Sequence, residues 1–273
     1  MTEWLYEDEL RLAELNVPRA ALQFARALAY PGLDVAGYMA VLHDLSETAA
    51  EHVDLSQPVA EQAQQLAGYL FGEVGFRGDP SAYTDPRNSY LNEVLDRRVG
   101  LPIALSVIYV DVAHRLGIPA YGIGLPGHFI VGIHGRDGEV WLDPFHGGRQ
   151  LDLADCAALI RLAIGYDGPL EASWFAPMPS RDILARMLNN LRAGYVQAEA
   201  WNDAAAVIRL LRQTQPEAAE HLRDLGLVYY QQRRLTQAAH YLDAYLQRAP
   251  DAADAQVIRD GMKDLLDEWV AQN

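Results

Sequence analysis

Five residues in the last third of the chain recur at one fixed spacing. Leu191, Tyr195, Trp201, Ala204 and Pro216 return, each 34 positions later, as Leu225, Tyr229, Leu235, Ala238 and Pro250. A period of this length fits one supersecondary unit per repeat, which buries its apolar face by stacking on a neighbour. The apolar spacing within each unit is helical, so the unit is a pair of antiparallel helices. Ala204 and Ala238 stand where the two helices meet closely. Pro216 and Pro250 end the second helices, because proline has no amide hydrogen to donate. The first repeat departs at one place, with Arg192 where Gly226 gives a small residue. Residues 255–270, with Val257, Ile258, Met262, Leu265, Leu266 and Trp269 apolar, predict a capping helix.

The rest of the chain follows a different logic. Residues 3–15 predict a short amphipathic helix with Trp4, Leu5, Leu12 and Leu15 apolar. Pro18 suits the first turn of a second helix, which Tyr30-Pro31-Gly32 ends. Asp34 caps a third, over 35–53, with Tyr38, Val41, Leu42 and Leu45 at helical spacing. Ser56 and Pro58 start a fourth, carrying Ala63, Leu66, Leu70 and Val74 inward. Gly78, Asp79-Pro80 and Asp85-Pro86 predict loop. A helix resumes at Leu91–Arg98, with Leu91, Val94 and Leu95 inward, and Gly100 stops it. Pro102 sits in the first turn of the next helix, Ile103–Leu116. The run 101–110 carries no charge, which places that helix in the middle of a domain. The periodicity then changes. Ala120–Ile123 and His128–Ile133 are strand-length runs, and a turn at His134-Gly135-Arg136-Asp137-Gly138 leads to a returning strand, Glu139–Leu142. Asp143-Pro144-Phe145 closes that strand, His146-Gly147-Gly148 turns away, and Leu153–Leu162 predicts one more helix. A Gly- and Pro-rich loop over 165–179 marks the domain boundary.

This order puts His128 and Asp143 on neighbouring strands, beside a helix that begins at Pro102. A nucleophile at a helix start, a histidine base and a carboxylate that holds its tautomer would together make an acyl-transfer site. The motifs that carry this region are Asn92–Leu95, the run Arg97-Arg98-Val99-Gly100-Leu101-Pro102-Ile103-Ala104-Leu105-Ser106, then Pro126-Gly127-His128-Phe129, then Asp143-Pro144-Phe145-His146-Gly147-Gly148. In this order they resemble the transglutaminase-like core of the papain-like cysteine-nucleophile superfamily. They look closest to its bacterial invasion-regulator-related branch, in which such a core precedes tetratricopeptide-like helices. The 34-residue period likewise resembles the tetratricopeptide repeat. The resemblance covers about residues 20–260. It implies an α+β fold: a helical N-terminal subdomain (1–75) packed on a papain/transglutaminase-like core (88–165) with a small antiparallel sheet, together spanning 1–178. An all-α tetratricopeptide-like module over 180–273 follows.

The resemblance also implies site residues. Active members carry a cysteine at the start of the central helix, then a histidine, then an aspartate. The last two carry over to His128 and Asp143, as a vestigial or structural pair. The cysteine has no counterpart around Pro102-Ile103. Ser106 is a weak substitute, since an unactivated hydroxyl is a poor nucleophile and its simpler partner is the carbonyl four residues back. Cys156, the one cysteine, lies on an apolar helix and reads as a buried free thiol. His128, Asp143 and His146, with water or Glu93 as a fourth ligand, match no known zinc spacing, so no metal is expected. Arg97-Arg98 reads as a solvated helix end before it reads as an anion site. Gly127 reads as a position of close backbone approach or unusual dihedral angle. No glycine-rich fingerprint for a dinucleotide or phosphate is present, so no cofactor is expected.

Composition closes off other classes. A net charge of -15 argues against nucleic acid as a partner. One cysteine leaves no intramolecular disulfide and fits a reducing cytoplasm. No apolar run reaches membrane-spanning length, and the acidic N-terminus lacks a secretory pattern. The leading reading is a non-catalytic transglutaminase-like protein that serves as a protein or peptide interaction module, of unknown oligomeric state. The alternatives are a hydrolase or acyltransferase acting on amides through a non-cysteine nucleophile, and small-molecule binding in the vestigial cleft. A cleft filled by Leu101, Ile103 and Phe129 would mean a retired site.

Overall fold

The computed structural model describes residues 5–135 and 138–262. The chain divides into two compact units, Met1–Met187 and Leu188–Asn273. In the first, α1 (Tyr6–Glu9), α2 (Val17–Leu28), α3 (Val35–Ala49) and α4 (Val59–Ala67) form the helical layer. Helix α4 runs on into a π-helical turn, Gly68–Glu73. Then come α5 (Leu91–Arg97), α6 (Pro102–Arg115), β1 (Ala120–Ile123), β2 (Ile130–Gly135), β3 (Gly138–Asp143), β4 (Arg149–Leu151) and α7 (Leu153–Ile164).

Helix α6 is the axis of this unit. Every residue from Pro102 to Tyr109 is buried. It touches α2 and α3 in the helical layer and β1 and β2 of the sheet, which is why its sequence carries no charge before Asp111. Its Tyr109 hydroxyl donates to the Ala63 carbonyl at 2.9 Å, tying α6 to α4. Each fully buried Leu or Ile along it contributes about 1.5–3 kcal/mol. The four strands are antiparallel in the order β1-β2-β3-β4. Ala120 faces Ile133, Val131 faces Leu142, and Asp143 faces Arg149. A second apolar cluster, with Ile123, Ile130, Leu151, Cys156 and Ile160, joins the sheet to α7.

Several expectations are corrected. Of the expected helix over 3–15, the described residues are helical over Tyr6–Glu9 alone, and Trp4 lies outside the described residues. The chain bends because the buried Glu9 carboxylate takes Arg19 Nε at 2.7 Å and the Asn16 amide at 3.1 Å, which draws it onto the start of α2. Of the helically spaced positions of α3, Leu42 is buried and Val41 is exposed. Helix α5 stops at Arg98, which takes the left-handed conformation with φ 58°. Gly100 serves packing instead, since a Cβ there would lie 2.7 Å from Val94 Cγ1. Strand β2 begins at Ile130, so His128 sits in the turn before it. The short strand β4 carries no alternating pattern and was not expected. Turn residues Arg136 and Asp137 lie outside the described residues.

The second unit holds the end of α8 (Ser180–Gln197), then α9 (Trp201–Thr214), α10 (Glu220–Gln231) and α11 (Leu235–Arg248). Ala204 and Ala238 are fully buried in one cluster with Leu225, Tyr229 and Leu242. Gly226 allows α10 to approach α11, as a Cβ there would meet Leu242 Cγ at 2.6 Å. Arg192, at the corresponding place in the first repeat, turns its guanidinium to Asp224. Residues 255–262 are helical, and Ile258 and Met262 pack on the repeat cluster. Leu265, Leu266 and Trp269 of the expected cap lie outside the described residues.

Candidate functional site

The site is built on Asp143, the last residue of β3. Its side chain is fully buried and caps a short 3-10 turn, Pro144–His146. Oδ1 accepts the amides of Phe145 at 3.1 Å and His146 at 3.4 Å. The same oxygen pairs with His128 Nε2 at 3.1 Å, and Oδ2 pairs with His146 Nδ1 at 2.6 Å. One carboxylate therefore holds two imidazoles. Burial pushes the Asp143 carboxyl up, but hydrogen bonds and charge from His128 and then His146 outweigh it and hold the group below the usual carboxylate range.

His128 reaches Asp143 because of the turn ahead of β2. Gly127 has φ +74°, and a Cβ there would lie 2.5 Å from Ala163 Cβ on α7. Both the dihedral angle and the close approach thus require glycine. Arg186 Nη2 donates to the carbonyls of Leu125 at 2.9 Å and His128 at 2.6 Å. That carbonyl is taken by a side chain rather than by a neighbouring strand, and pairing starts only at Ile130. The guanidinium also lies 5.4 Å over the Phe129 ring. His128 is 8 % exposed, and the Phe145 ring stands edge-on to it at 6.1 Å.

The start of α6 is apolar and closed. Leu101, Ile103 and Phe129 are each 2 % exposed. Ser106 is fully buried, and its hydroxyl donates to the Pro102 carbonyl at 2.8 Å, the bond expected of a serine inside a helix. It makes no hydrogen bond with His128. Cys156 is buried in α7 under the sheet, and burial, then the nearby Asp155 and Asp152, pushes its thiol up to about 12. It is no thiolate at neutral pH. No cysteine–histidine–aspartate triad is formed. Arg97 donates to Asn88 Oδ1 at 3.2 Å and Arg98 to the Val74 carbonyl at 2.7 Å, so both are tied to their own chain. Glu93 accepts the Tyr30 hydroxyl at 3.0 Å and is not among the carboxylates gathered around His128.

The sequence reading grouped His146 with His128 and Asp143 only as a metal set that it set aside, and it missed Arg186. His146 as Asp143's second partner was signalled by the Asp-Pro-Phe-His spacing, since a capping aspartate meets the residue three places on. Arg186 had no local signal, being 58 positions from His128. A cavity of about 280 Å³ lies between α2, α6 and β1, with Ser106, Val107, Gly122, Phe129 and Ile183 on its walls. His128 is not on its lining.

Comparison with known proteins agrees with the fold. Residues 36–189 match the transglutaminase-like superfamily, and residues 191–263 match the tetratricopeptide repeat. A UPF0162 protein of Xylella fastidiosa (strain Temecula1) is 37% identical over 244 residues, covering 88% of this chain and 87% of the relative. UPF0162 protein YchA of Escherichia coli (strain K12) is 26% identical, covering 80% and 81%. Protein SirB1 of Salmonella typhimurium (strain LT2) is also 26% identical, again covering 80% and 81%.

Proposed function

The chain belongs to the transglutaminase-like superfamily, and from that premise we propose that it is a non-catalytic member acting as a protein or peptide interaction module. We place it in the invasion-regulator-related branch, a reading supported by its similarity to protein SirB1. The observation that carries the proposal is the filled helix start. Where an active relative would present a thiol, Leu101 and Ile103 are buried core residues, and the nearby Ser106 hydroxyl bonds within its own helix. His128 and Asp143 then serve as a structural hydrogen-bonded pair. Ser106 and Cys156 are each occupied or buried in ways that suit packing, not chemistry.

Two surfaces suit a partner. Repeats of this class commonly present binding faces. In the first unit, Leu153, Leu162 and Ile164 of α7 are 56%, 85% and 53% exposed and offer apolar contacts to a partner. The net charge of -15 favours a protein over a nucleic acid. The single buried cysteine suits the cytoplasm, and among the described residues no helix is long and apolar enough to cross a membrane.

The test has two arms. Amide hydrolysis and amine incorporation are measured for the wild-type chain and His128→Ala. A photo-crosslinker is placed in turn at Leu162 and at Leu227, an exposed repeat residue, and captured bacterial proteins are identified. The expected result is no turnover that depends on His128 and a discrete partner at one of the two positions. Turnover abolished by His128→Ala would overturn the reading in favour of an enzyme. The cavity beside Ser106 supports small-molecule binding as a second reading, and Val107→Trp, which would fill it, should then abolish uptake of a bound metabolite.

A further inference from the structure

We propose that His128, Asp143 and His146 form a binding site for a divalent transition-metal ion, with zinc as the type. Each residue offers one ligand atom, and these atoms all lie within 4.8 Å of one another. Two imidazole nitrogens and a carboxylate are the donor set that such borderline ions take, with a fourth position left to water. Around a tetrahedral ion with bonds of about 2.1 Å, donor atoms lie about 3.4 Å apart. The Asp143 contacts at 2.6 and 3.1 Å must therefore open to admit the ion, within a cluster no wider than 4.8 Å, and His146, half in solvent, can supply the movement by turning its own side chain.

The surroundings suit an ion as well as the donors do. The Phe145 and His146 amides hold the Asp143 carboxylate from behind, and Arg186 fixes the His128 carbonyl. These contacts would survive ion binding and would orient the ligands, as outer contacts do at metal sites. The protons can also be placed. Each histidine now meets Asp143 through one ring nitrogen. Among the described residues, the opposite nitrogens, Nδ1 of His128 and Nε2 of His146, make no hydrogen bond. A neutral imidazole can carry its proton there while the nitrogen beside Asp143 binds metal, so no proton is stranded against the ion. The route in is open: His146 is 47% exposed and borders a groove of about 360 Å³ with Arg149, Leu159 and Leu162. The site escapes a spacing rule because only Asp143 and His146 are close in sequence. His128 arrives through the antiparallel pairing of β2 with β3.

The experiment uses the full chain stripped with a chelator and titrated with zinc in competition with a chromophoric chelator. Cobalt replaces zinc in a parallel titration read by its visible absorption. One equivalent should bind, with the intense bands of a tetrahedral site, and zinc should raise the thermal midpoint. His146→Gln keeps an N–H that can bond Asp143 but removes the metal-binding nitrogen. It should weaken binding at least about tenfold and abolish the thermal shift, while its own fold is checked by circular dichroism. A second variant, His52→Ala with His134→Ala, removes the exposed His52–Glu73 and His134–Glu139 pairs and should leave binding unchanged. No saturable binding in the wild type would overturn the proposal. So would equal affinity in His146→Gln, or loss of binding in the His52/His134 variant.

Discussion

The start of α6 and the corner at Asp143 face the same functional question and answer it oppositely. At α6, Leu101, Pro102 and Ile103 are buried among apolar groups, and the one hydroxyl nearby, on Ser106, is spent on its own helix. At Asp143, a fully buried carboxylate keeps four polar contacts from three donor residues. A nucleophile can be lost by one substitution that fills its space with carbon. A buried carboxylate cannot be lost so easily, because its buried partner His128 would be left as a polar group out of water. The difference teaches that the histidine–aspartate half of such a site can outlive its chemistry as architecture.

Three measurements would break or sharpen that contrast. The largest effect is expected at Asp143→Ala, which strands the His128 imidazole and the Pro144–His146 turn. Urea unfolding should show a loss of about 3–5 kcal/mol. The same carboxylate sets an acid limit. Its pKa is lowered in the fold, so its contribution is fully present above the unfolded value of about 3.9 and is lost as pH falls through and below that range. Asp143→Asn should flatten this part of the stability profile. A loss of less than about 1 kcal/mol in the alanine variant would mean that the corner is not architecture.

An intermediate effect is expected at Ile103→Cys, which returns a thiol to the helix start. It should cost about 1–3 kcal/mol as a core truncation. The new thiol should be alkylated only as fast as the protein unfolds, and His128→Ala should leave that rate unchanged. Fast labelling of the native protein, slowed by His128→Ala, would show that the helix start still faces the imidazole and that only the thiol is missing. The smallest effect belongs to Ser106→Ala, about 1 kcal/mol or less in the same unfolding experiment, since one local hydrogen bond is removed from a helix that keeps its own ladder. Loss of any catalytic turnover in that variant would reopen the serine.

Much of this was legible beforehand. Strand β1 was read to the residue, α3 began after its expected cap Asp34 and α7 at Leu153 as read, and the fixed spacing in the last third announced paired helices. These features are local: each depends on periodicity, a cap or a breaker within one turn or strand. Strand β4 was not legible, because three residues without alternation acquire strand geometry only from β3 beside them. The position of His128 just off β2 was not legible either, because Arg186, far along the chain, claims its carbonyl.

By itself, then, the sequence determined the helices, the hairpin, the repeat module and the absence of a thiol at the head of α6. Those follow from side-chain size, hydrogen-bonding capacity and spacing over a few residues. Tertiary structure alone decided that the head of α6 is sealed. It also alone decided that Arg186 stands behind the turn that presents His128. Each of these depends on groups that meet only after strands pair and helices close over them, at separations along the chain where no local pattern reaches.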